Sequence, residues 1–461
     1  MRESAKHVFP RLALPSVKRR PVVCSRDQIL LDAGESKIGS FPHAFTGFAH
    51  FIRFVPAPYS FRIVESTPAV SQSSSARMKF ASIAIFAWNE EEAIAATLNS
   101  LFEQSLFAEL NRRQLGCEII CVINGCTDRT PEVADEVFTE LRRTHVQKQA
   151  IFPRVENLKE RGKLNAWNQF VHHLSAREAE YLFMMDADIL IHRKDTMRNM
   201  LLALEDNPAA SVAVDRPCKD IDFKWHKTFR ERLSVATSRV TQAARAQLCG
   251  QLYCIRSRVA RNIYMPKDLT ACEDGFIKSM VCTDFLTHAV DPQRIILADQ
   301  AEHTFEAYTN LAAILRNQKR QIIGQTIVHV LIDQYLSQLP VTERLHLAEV
   351  LKERDANDPS WLKRLVLEHL QRTRRFWKLY PGVLTQRFRT LKHLNGFKRL
   401  AYLPTAIAGF LVSLYPCYLA HASLKQGLIN YWPQARRTGL KELAAQSAAS
   451  LQFTSTHHSQ E

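Results

Sequence analysis

The chain has 461 residues, 46% of them hydrophobic, and a formal net charge of +15. This length accommodates one large domain with additions, or two domains, with a substantial core. The positive charge indicates an anionic partner: nucleotide phosphates, nucleic acid or an anionic membrane. The 10 cysteines are scattered along the chain and several lie in apolar runs, which indicates reduced, buried thiols and argues against a disulfide framework.

The first 77 residues show no sustained hydrophobic periodicity and close with a serine-rich run. We therefore predict a disordered leader or linker over 1–77. Its basic beginning lacks the apolar core of a signal peptide.

Alternating strand and helix patterns follow this leader. Residues 79–88 and 117–123 have the continuous apolar character of buried strands, and 150–153 is a candidate third strand. A helical period follows each of them, and we expect Thr130 to cap the second helix, with Pro131 at its first position. Strand and helix in this order predict a mainly parallel sheet.

An apolar run over 181–191 is interrupted by two carboxylates, Asp186 and Asp188. Residues two apart on an extended segment point the same way, so both carboxylates can face one ligand. Paired oxygen donors at the end of a strand suit a hard divalent cation that is also held by substrate phosphates. In the alternative interpretation, Asp186 caps a helix and Asp188 is a solvated loop residue.

The position of three polar residues decides between these interpretations. Asn89, Asn124 and Asp186 each fall at the carboxyl end of a predicted strand. Ligands of such sheets bind at this edge. We therefore favour a functional site over three unrelated structural residues.

Four segments resemble, in order, the motifs of family 2 glycosyltransferases with the GT-A fold: Ala87-Trp-Asn-Glu-Glu, Val122-Ile-Asn-Gly-Cys-Thr-Asp-Arg-Thr, Gly162-Lys-Leu-Asn-Ala-Trp-Asn and Met185-Asp-Ala-Asp. The resemblance covers about residues 79–330. It implies an α/β fold with flanking helices, nucleotide contacts and a cation, Mn²⁺ or Mg²⁺, on the donor diphosphate. The implied nucleotide contacts are Asn89, Glu90, Asn124, Lys163 and Asp186, and the implied metal ligands are Asp186 and Asp188.

One position departs from the family pattern. Many members carry an acidic residue, in contact with the base, where this chain has Asn124. An amide can still pair with uracil, so a UDP-sugar is the expected donor, with the base less firmly determined.

The acceptor side of the reaction is expected after residue 250. Gly250 and Gln251 open a strand that resembles the acceptor-side segment of the family, and Glu273 and Asp274 precede a helix. Inverting transfer needs a base for the acceptor hydroxyl, and a carboxylate near the leaving phosphate can serve. The family's Glu-Asp pair implies Asp274 as that base with Glu273 as its neighbour; in the alternative, both residues only cap the helix.

Three further residues are weaker candidates. Arg316 and Arg320 lie one helical turn apart, so they share a face that suits a pyrophosphate or simply solvent. They resemble part of a segment of processive family members, but its tryptophan is missing, which argues against a long-chain polysaccharide synthase. His303 follows a predicted strand, and a structural histidine is favoured there over a metal ligand.

The C-terminal third is predicted to be helical and basic. No Asp or Glu occurs between His369 and Leu440, and the segment 400–424 is uncharged and long enough to span a bilayer. Basic flanks on both sides favour a re-entrant or interfacial helix on an anionic cytoplasmic leaflet. A buried core helix of a soluble domain is the alternative.

We therefore predict a leader (1–77), a GT-A domain (78–335), a basic helical, membrane-associating region (336–446) and a disordered tail (447–461). The expected activity is sugar transfer from a nucleotide-diphosphate donor, with inversion, to a glycan or lipid-linked acceptor at the cytoplasmic face of a membrane. A sugar nucleotidyltransferase is an alternative, although it would normally open with a glycine-rich basic loop. A non-catalytic membrane- or nucleic-acid-binding protein is another alternative. The basic cluster, nine Lys and Arg residues between Arg372 and Arg399, adjoins the apolar segment 400–424, which favours membrane over nucleic acid.

Overall fold

The computed structural model describes residues 77–223, 247–307, 311–373 and 396–427, with the single positions 384, 388 and 391. The predicted leader, apart from residue 77, and the predicted tail lie outside these residues, as does much of the basic cluster. The predicted domain boundaries at 78, 335 and 446 stay predictions.

A mixed β-sheet is the centre of the described structure. Within the described residues it has eight strands, in the spatial order β3-β2-β1-β4-β7-β6-β8-β5. They are β1 (Lys79–Ala87), β2 (Gly116–Asn124), β3 (Ile151–Leu158), β4 (Tyr181–Asp186), β5 (Ile189–Leu190), β6 (Val212–Lys219), β7 (Leu252–Arg256) and β8 (Ile295–Phe305).

The parallel sheet predicted from the sequence forms one half of this arrangement. Strands β3, β2, β1 and β4 are parallel neighbours, and so are β6 and β8. Strand β7 is antiparallel to both β4 and β6, and β5 is antiparallel to β8. The sheet is therefore mixed beyond β4, because β7 enters it in the opposite direction.

The described helices flank this sheet on both faces. They are α1 (Ile94–Phe102), α2 (Leu106–Arg112), α3 (Thr130–Thr144), α4 (Lys163–Gln169), α5 (Thr196–Asp206), α6 (Ser257–Ala260), α7 (Glu273–Cys282), α8 (Leu311–Gln334), α9 (Val341–Arg344), α10 (Leu347–Asn357), α11 (Trp361–Arg372) and α12 (Gly396–Lys425). A π-helical turn, Phe170–Leu174, continues α4.

Alternating residues of the central strands feed two cores. Ile83 and Ile85 of β1 face a cluster with α1, α2, α3 and α5. Ala84 and Phe86 face the opposite cluster, which contains residues of α4, α7, α8, α10, α11 and α12. This alternation follows from the two-residue period of a strand, and it places the C-terminal helices on the same side of the sheet as α4.

One buried charge inside this sheet is compensated by several partners. Glu118 of β2 is 2% exposed and accepts hydrogen bonds from Lys79 at 3.0 Å, from Ser82 at 3.0 Å and from Arg154. Burial raises the pKa of Glu118, but the bonds to Arg154 and Lys79 outweigh it and lower the pKa overall. The carboxylate therefore stays charged and ties β1, β2 and β3 together.

Two local predictions need correction. Helix α3 begins at Thr130 itself, and Arg129 occupies the cap position. The Thr130 hydroxyl instead donates to Asp128 Oδ1 at 2.6 Å in the preceding turn. The candidate third strand at 150–153 is longer than predicted, because β3 continues to Leu158.

The apolar segment predicted at 400–424 lies inside α12. Within the described residues, Tyr402–Lys425 is the one stretch whose length and composition would allow a membrane span. Pro404 and Pro416 both lie inside this helix.

Candidate active site

The turns after β1 and β2 are joined by hydrogen bonds between their side chains and backbones. Asn89 Oδ1 accepts from the backbone N–H of Thr127 at 2.8 Å, and the Glu90 N–H donates to Thr130 Oγ1 at 2.8 Å. Asn89 holds this geometry with φ 55, in the left-handed region where asparagine is tolerated. Asn89 and Glu90, after β1, therefore lie beside the turn that follows β2.

Asn124, the residue that departs from the family pattern, has a defined orientation. Its side-chain Oδ1 accepts a hydrogen bond of 2.6 Å from the backbone N–H of Gly162, and the residue is 6% exposed. Because a backbone N–H can only donate, the acceptor must be Oδ1, and the amide Nδ2 is left as a donor directed elsewhere. This bond also fixes the glycine that precedes α4, whose φ of 148 suits only glycine.

An aromatic–cation stack, which the sequence analysis did not single out, stands beside this edge. The guanidinium carbon of Arg161 lies 3.6 Å from the centroid of the Trp88 ring. Arg161 is exposed, and its Cβ would lie 3.3 Å from a Cβ added at Gly125. The only sequence signal for this stack was an aromatic residue directly before Asn89.

Lys163 is the residue that joins the two halves of the site. Its Nζ lies 2.6 Å from Asp186 Oδ1 and 3.1 Å from Glu273 Oε1, and it donates to the carbonyl oxygen of Gly250 at 3.1 Å. Burial lowers the pKa of Lys163, but the two carboxylates outweigh it and raise the pKa overall. The ammonium group therefore stays charged between the end of β4 and the start of α7.

Gly250 leaves room for this contact. A Cβ at this position would lie 2.8 Å from Glu273 Oε1, so any side chain would displace that carboxylate. The backbone carbonyl of Gln251, its neighbour, accepts from the Asp186 N–H at 2.8 Å. The two residues assigned to the acceptor side thus lie directly against Lys163 and Asp186.

Asp274 has the electrostatic properties of a proton acceptor. Burial, reinforced by the negative charge of Glu273, raises the pKa of Asp274 to about 6. Burial also raises the pKa of Glu273, but Lys163 and Arg320 outweigh it and lower that pKa. Two adjacent carboxylates whose pKa values move in opposite directions are typical of acid–base sites.

The position of α8 determines which of the two candidate arginines reaches this pair. Gly324 of α8 packs so closely on the backbone of Ala271 that an added Cβ would lie 2.7 Å from its carbonyl carbon. This contact brings Arg320 near Glu273 and Asp274, where its positive charge lowers both pKa values. Arg316, one turn earlier, is exposed.

The two metal-ligand candidates lie together at the end of β4. Asp186 is half-buried, and Asp188 is 6% exposed in the turn between β4 and β5. In the described part of the chain, no group of three or more His, Cys, Asp and Glu side chains is arranged to hold a metal ion. Two carboxylates fit Mg²⁺ or Mn²⁺ when substrate phosphates complete the shell, so the donor set suits a cation that arrives with the nucleotide.

His303 lies in a buried pair with Asp215 and also reaches Gln251. It is fully buried on β8, with Nδ1 2.6 Å from Asp215 Oδ2 and Nε2 3.4 Å from Gln251 Oε1. The structural role that the sequence favoured for His303 stays a prediction. The pairing with Asp215 was missed, because 88 residues separate the two side chains and no local pattern links them.

Residues 82–260 match the family model described as glycosyl transferase family 2. This region is a family 2 glycosyltransferase domain. The comparison with curated proteins found no match.

The chain is also similar to several solved structures. They include the mannosyltransferase PcManGT from Pyrobaculum calidifontis in complex with GDP-Man and Mn²⁺ (15% identity, 78% of this chain and 88% of that chain, TM-score 0.41). A second is S. aureus TarS 1–349 (16% identity, 78% of this chain and 95% of that chain, TM-score 0.35). A third is M. tuberculosis glucosyl-3-phosphoglycerate synthase (14% identity, 55% of this chain and 81% of that chain, TM-score 0.34). TM-scores this low add nothing to the assignment, which rests on the family match.

The family match and the mixed sheet with flanking helices agree with the GT-A fold predicted from the sequence. The family match therefore assigns a glycosyltransferase domain to residues 82–260.

Proposed function

We propose that this chain transfers a sugar from a nucleotide-diphosphate donor, with inversion, to a hydroxyl of a lipid-linked or membrane-proximal glycan acceptor. The observation that carries the proposal is the contact of Lys163 with both Asp186 and Glu273. It joins the strand-end carboxylates, which suit a donor diphosphate, to the carboxylate pair that suits an acceptor hydroxyl.

The donor is placed at the carboxyl edge of β1, β2 and β4. Asn89, Glu90 and Asn124 face the nucleotide, with Lys163 and Asp186 beside the sugar diphosphate. Arg320, and Arg316 with it, offer positive charge to the leaving nucleotide diphosphate. A UDP-sugar remains the expected donor.

Asp186 and Asp188 are the proposed holders of a divalent cation, Mn²⁺ or Mg²⁺, on the diphosphate. When bound, the cation offsets the negative charge that develops on the leaving diphosphate. Lys163 also offsets negative charge in the site. Its ammonium group neutralises part of the charge of Asp186 and Glu273 before the donor binds.

Asp274 is the proposed base. Its carboxylate takes the proton of the acceptor hydroxyl as the hydroxyl oxygen attacks the anomeric carbon from the side opposite the diphosphate. The bond between the anomeric carbon and the diphosphate oxygen breaks at the same time, so the product has the inverted configuration. A pKa of about 6 leaves Asp274 deprotonated at neutral pH yet basic enough to accept this proton. Gly250 and Gln251 border the acceptor side.

A membrane-proximal acceptor is supported by the C-terminal region. Helix α12 is apolar, and its flanks are basic over a stretch without Asp or Glu. The proposed location is the cytoplasmic face of a membrane, either peripheral or with one spanning or re-entrant segment, with an anionic membrane surface as partner and no nucleic acid.

The test is a transfer assay of the purified chain with a panel of nucleotide sugars, with membrane lipid extract or water as acceptor. Asp274→Asn should lower kcat about 10²–10⁴-fold while nucleotide binding persists, because only the base is lost. The exposed control Asp206→Asn should leave kcat unchanged. The sugar released to water, observed by NMR before mutarotation, should have the opposite anomeric configuration to the donor. Full activity of the Asp274 variant, or a retained configuration, would contradict the proposal.

A further inference from the structure

Helix α12 has two faces with different environments. One face is buried and consists of small or aliphatic residues at helical spacing: Ala406, Ser413, Cys417, Ala420 and Leu424. The last three belong to the core shared with α8 and α11. These side chains are at most 8% exposed. The helix is therefore part of the folded body of the protein.

The second face carries large apolar side chains that no described residue covers well. We call these residues the apolar stripe: Leu400, Leu403, Ile407, Leu411, Tyr415 and Tyr418, which are 37–70% exposed. They recur every three or four residues, so they form one continuous surface along the helix. A contiguous apolar surface of this kind marks an interaction site.

An apolar cavity adjoins the beginning of this stripe. It has a volume of about 330 Å³ and is lined by Phe388, Leu391, Gly396, Arg399, Leu400 and Leu403. Two of its lining residues, Leu400 and Leu403, belong to the apolar stripe. An inserted hydrocarbon chain could therefore contact the stripe and the cavity together, with the Arg399 guanidinium beside them.

Charge identifies the partner. From residue 369 to residue 440 the chain contains 12 Lys and Arg residues and no Asp or Glu. Arg399 and Lys425 lie towards the two ends of α12 and are both exposed. An apolar strip between basic groups matches the acyl and headgroup layers of an anionic lipid leaflet, and tyrosines are common at that boundary.

We propose that α12 is an in-plane membrane-docking helix, which inserts its apolar stripe into one anionic leaflet and does not cross the bilayer. A spanning helix would have to leave α8 and α11 and expose Cys417, Ala420 and Leu424, which are fully buried there. This inference rests on the membrane location in the proposed function and refines it, because it defines the protein as peripheral.

The test uses the full chain, vesicles of phosphatidylcholine alone and vesicles mixed with phosphatidylglycerol. The wild type should float with the mixed vesicles, and high salt or alkaline carbonate should release it without detergent. Leu411→Glu combined with Tyr415→Glu should weaken this binding at least tenfold, because two charges would enter the acyl layer. Val290→Glu, at a residue that is 71% exposed outside the stripe, is the matched control and should bind as the wild type does.

Three outcomes would overturn the inference: equal vesicle binding by the stripe variant, retention of the wild type after carbonate, or duplex DNA binding in place of vesicle binding. Thermal unfolding of the stripe variant should match the wild type, because both changed side chains are exposed. Nucleotide binding should also persist in this variant. If the wild type binds vesicles but binds no nucleotide, the proposed transferase reaction is contradicted and the proposal of a docking helix still stands.

Discussion

Asp274 is the residue from which a pH dependence of the activity follows most directly. Its pKa, raised to about 6 by burial and Glu273, requires that activity is lost as pH falls through about 6, because the protonated carboxyl cannot accept a proton. The positive charge of Arg320 lowers this pKa, so removing that charge must raise it.

We therefore predict that Arg320→Gln moves the acidic limb of the kcat profile to higher pH. Arg316→Gln, an exposed change one turn away on the same helix, is the control and should leave the limb in place. The measurement is kcat at saturating donor between about pH 4.5 and 8, a range that brackets the Asp274 pKa of about 6 and begins just above the ordinary carboxylate pKa values of about 4. A limb that stays at the same pH in both variants would argue against Asp274 as the base.

The hydrogen bonding of Asn124 leads to a second prediction, about which nucleobase the site prefers. Its Oδ1 is occupied by the Gly162 N–H at 2.6 Å, so the amide offers a donor to a ligand, whereas a carboxylate would offer an acceptor. Asn124→Asp keeps the shape and reverses this polarity. Uracil carries a hydrogen on N3 and cytosine does not.

The Asn124→Asp variant should therefore raise the affinity for UDP relative to CDP by about tenfold, the value of one hydrogen bond gained or lost. Isothermal titration of both nucleotides against both proteins gives the four dissociation constants. An unchanged ratio would mean that residue 124 does not face the pairing edge of the base.

The residue scale also shows what a sequence can predict. Asn89, Asn124 and Asp186 were placed together correctly, because the carboxyl ends of parallel strands meet at one edge. The contact of Lys163 with Glu273 could not be predicted, since these residues lie 110 positions apart and the contact depends on how β7 and α7 return to the sheet.

At the scale of elements, the crossing of α8 over the start of α7 controls the carboxylate pair. Gly324 permits this crossing, because a Cβ there would lie 2.7 Å from backbone atoms of Ala271, which cannot move as a flexible side chain can. The predicted elements were largely found, but this packing between them was not visible in any periodicity.

Gly324→Ala should therefore destabilise the protein by about 1–3 kcal/mol, the usual cost of overpacking. Gly396→Ala is a control at the start of another helix, where a Cβ would meet nothing within 4 Å, and it should change stability by less than about 0.5 kcal/mol. Urea unfolding of both variants measures the difference. Equal stability of the two would show that α8 is not tightly packed at Ala271.

The direction of each strand relative to its neighbours in the sheet was the main property that the sequence could not predict. The apolar run of β7 was recognised as a strand, but its pattern is the same whether it runs parallel or antiparallel to β4. Helix α12 was likewise recognised as apolar, while its division into a buried face and an exposed stripe required the positions of α8 and α11.

At the scale of the whole molecule, the described structure combines a family 2 glycosyltransferase domain with helices that pack on the same face of the sheet as α4. In the proposed arrangement, α12 holds the protein on a leaflet, while Lys163 links the donor and acceptor sides of the site. The sequence predicted both regions, because strand-end polar residues and an acid-free apolar segment are strong local patterns.

The central claim is that a nucleotide diphosphate binds with a divalent cation at Asp186 and Asp188. The most direct measurement is the thermal unfolding of the purified chain with UDP, GDP, dTDP or CDP, each with and without Mn²⁺. A ligand present at about 100 times its dissociation constant stabilises a protein by about 2.7 kcal/mol, which raises the midpoint measurably.

We expect one nucleotide to raise the midpoint when Mn²⁺ is present, and we expect Asp188→Ala to abolish this rise. Asp206→Ala, an exposed change on α5, should keep it. No rise with any nucleotide, or an identical rise in the Asp188 variant, would contradict the account.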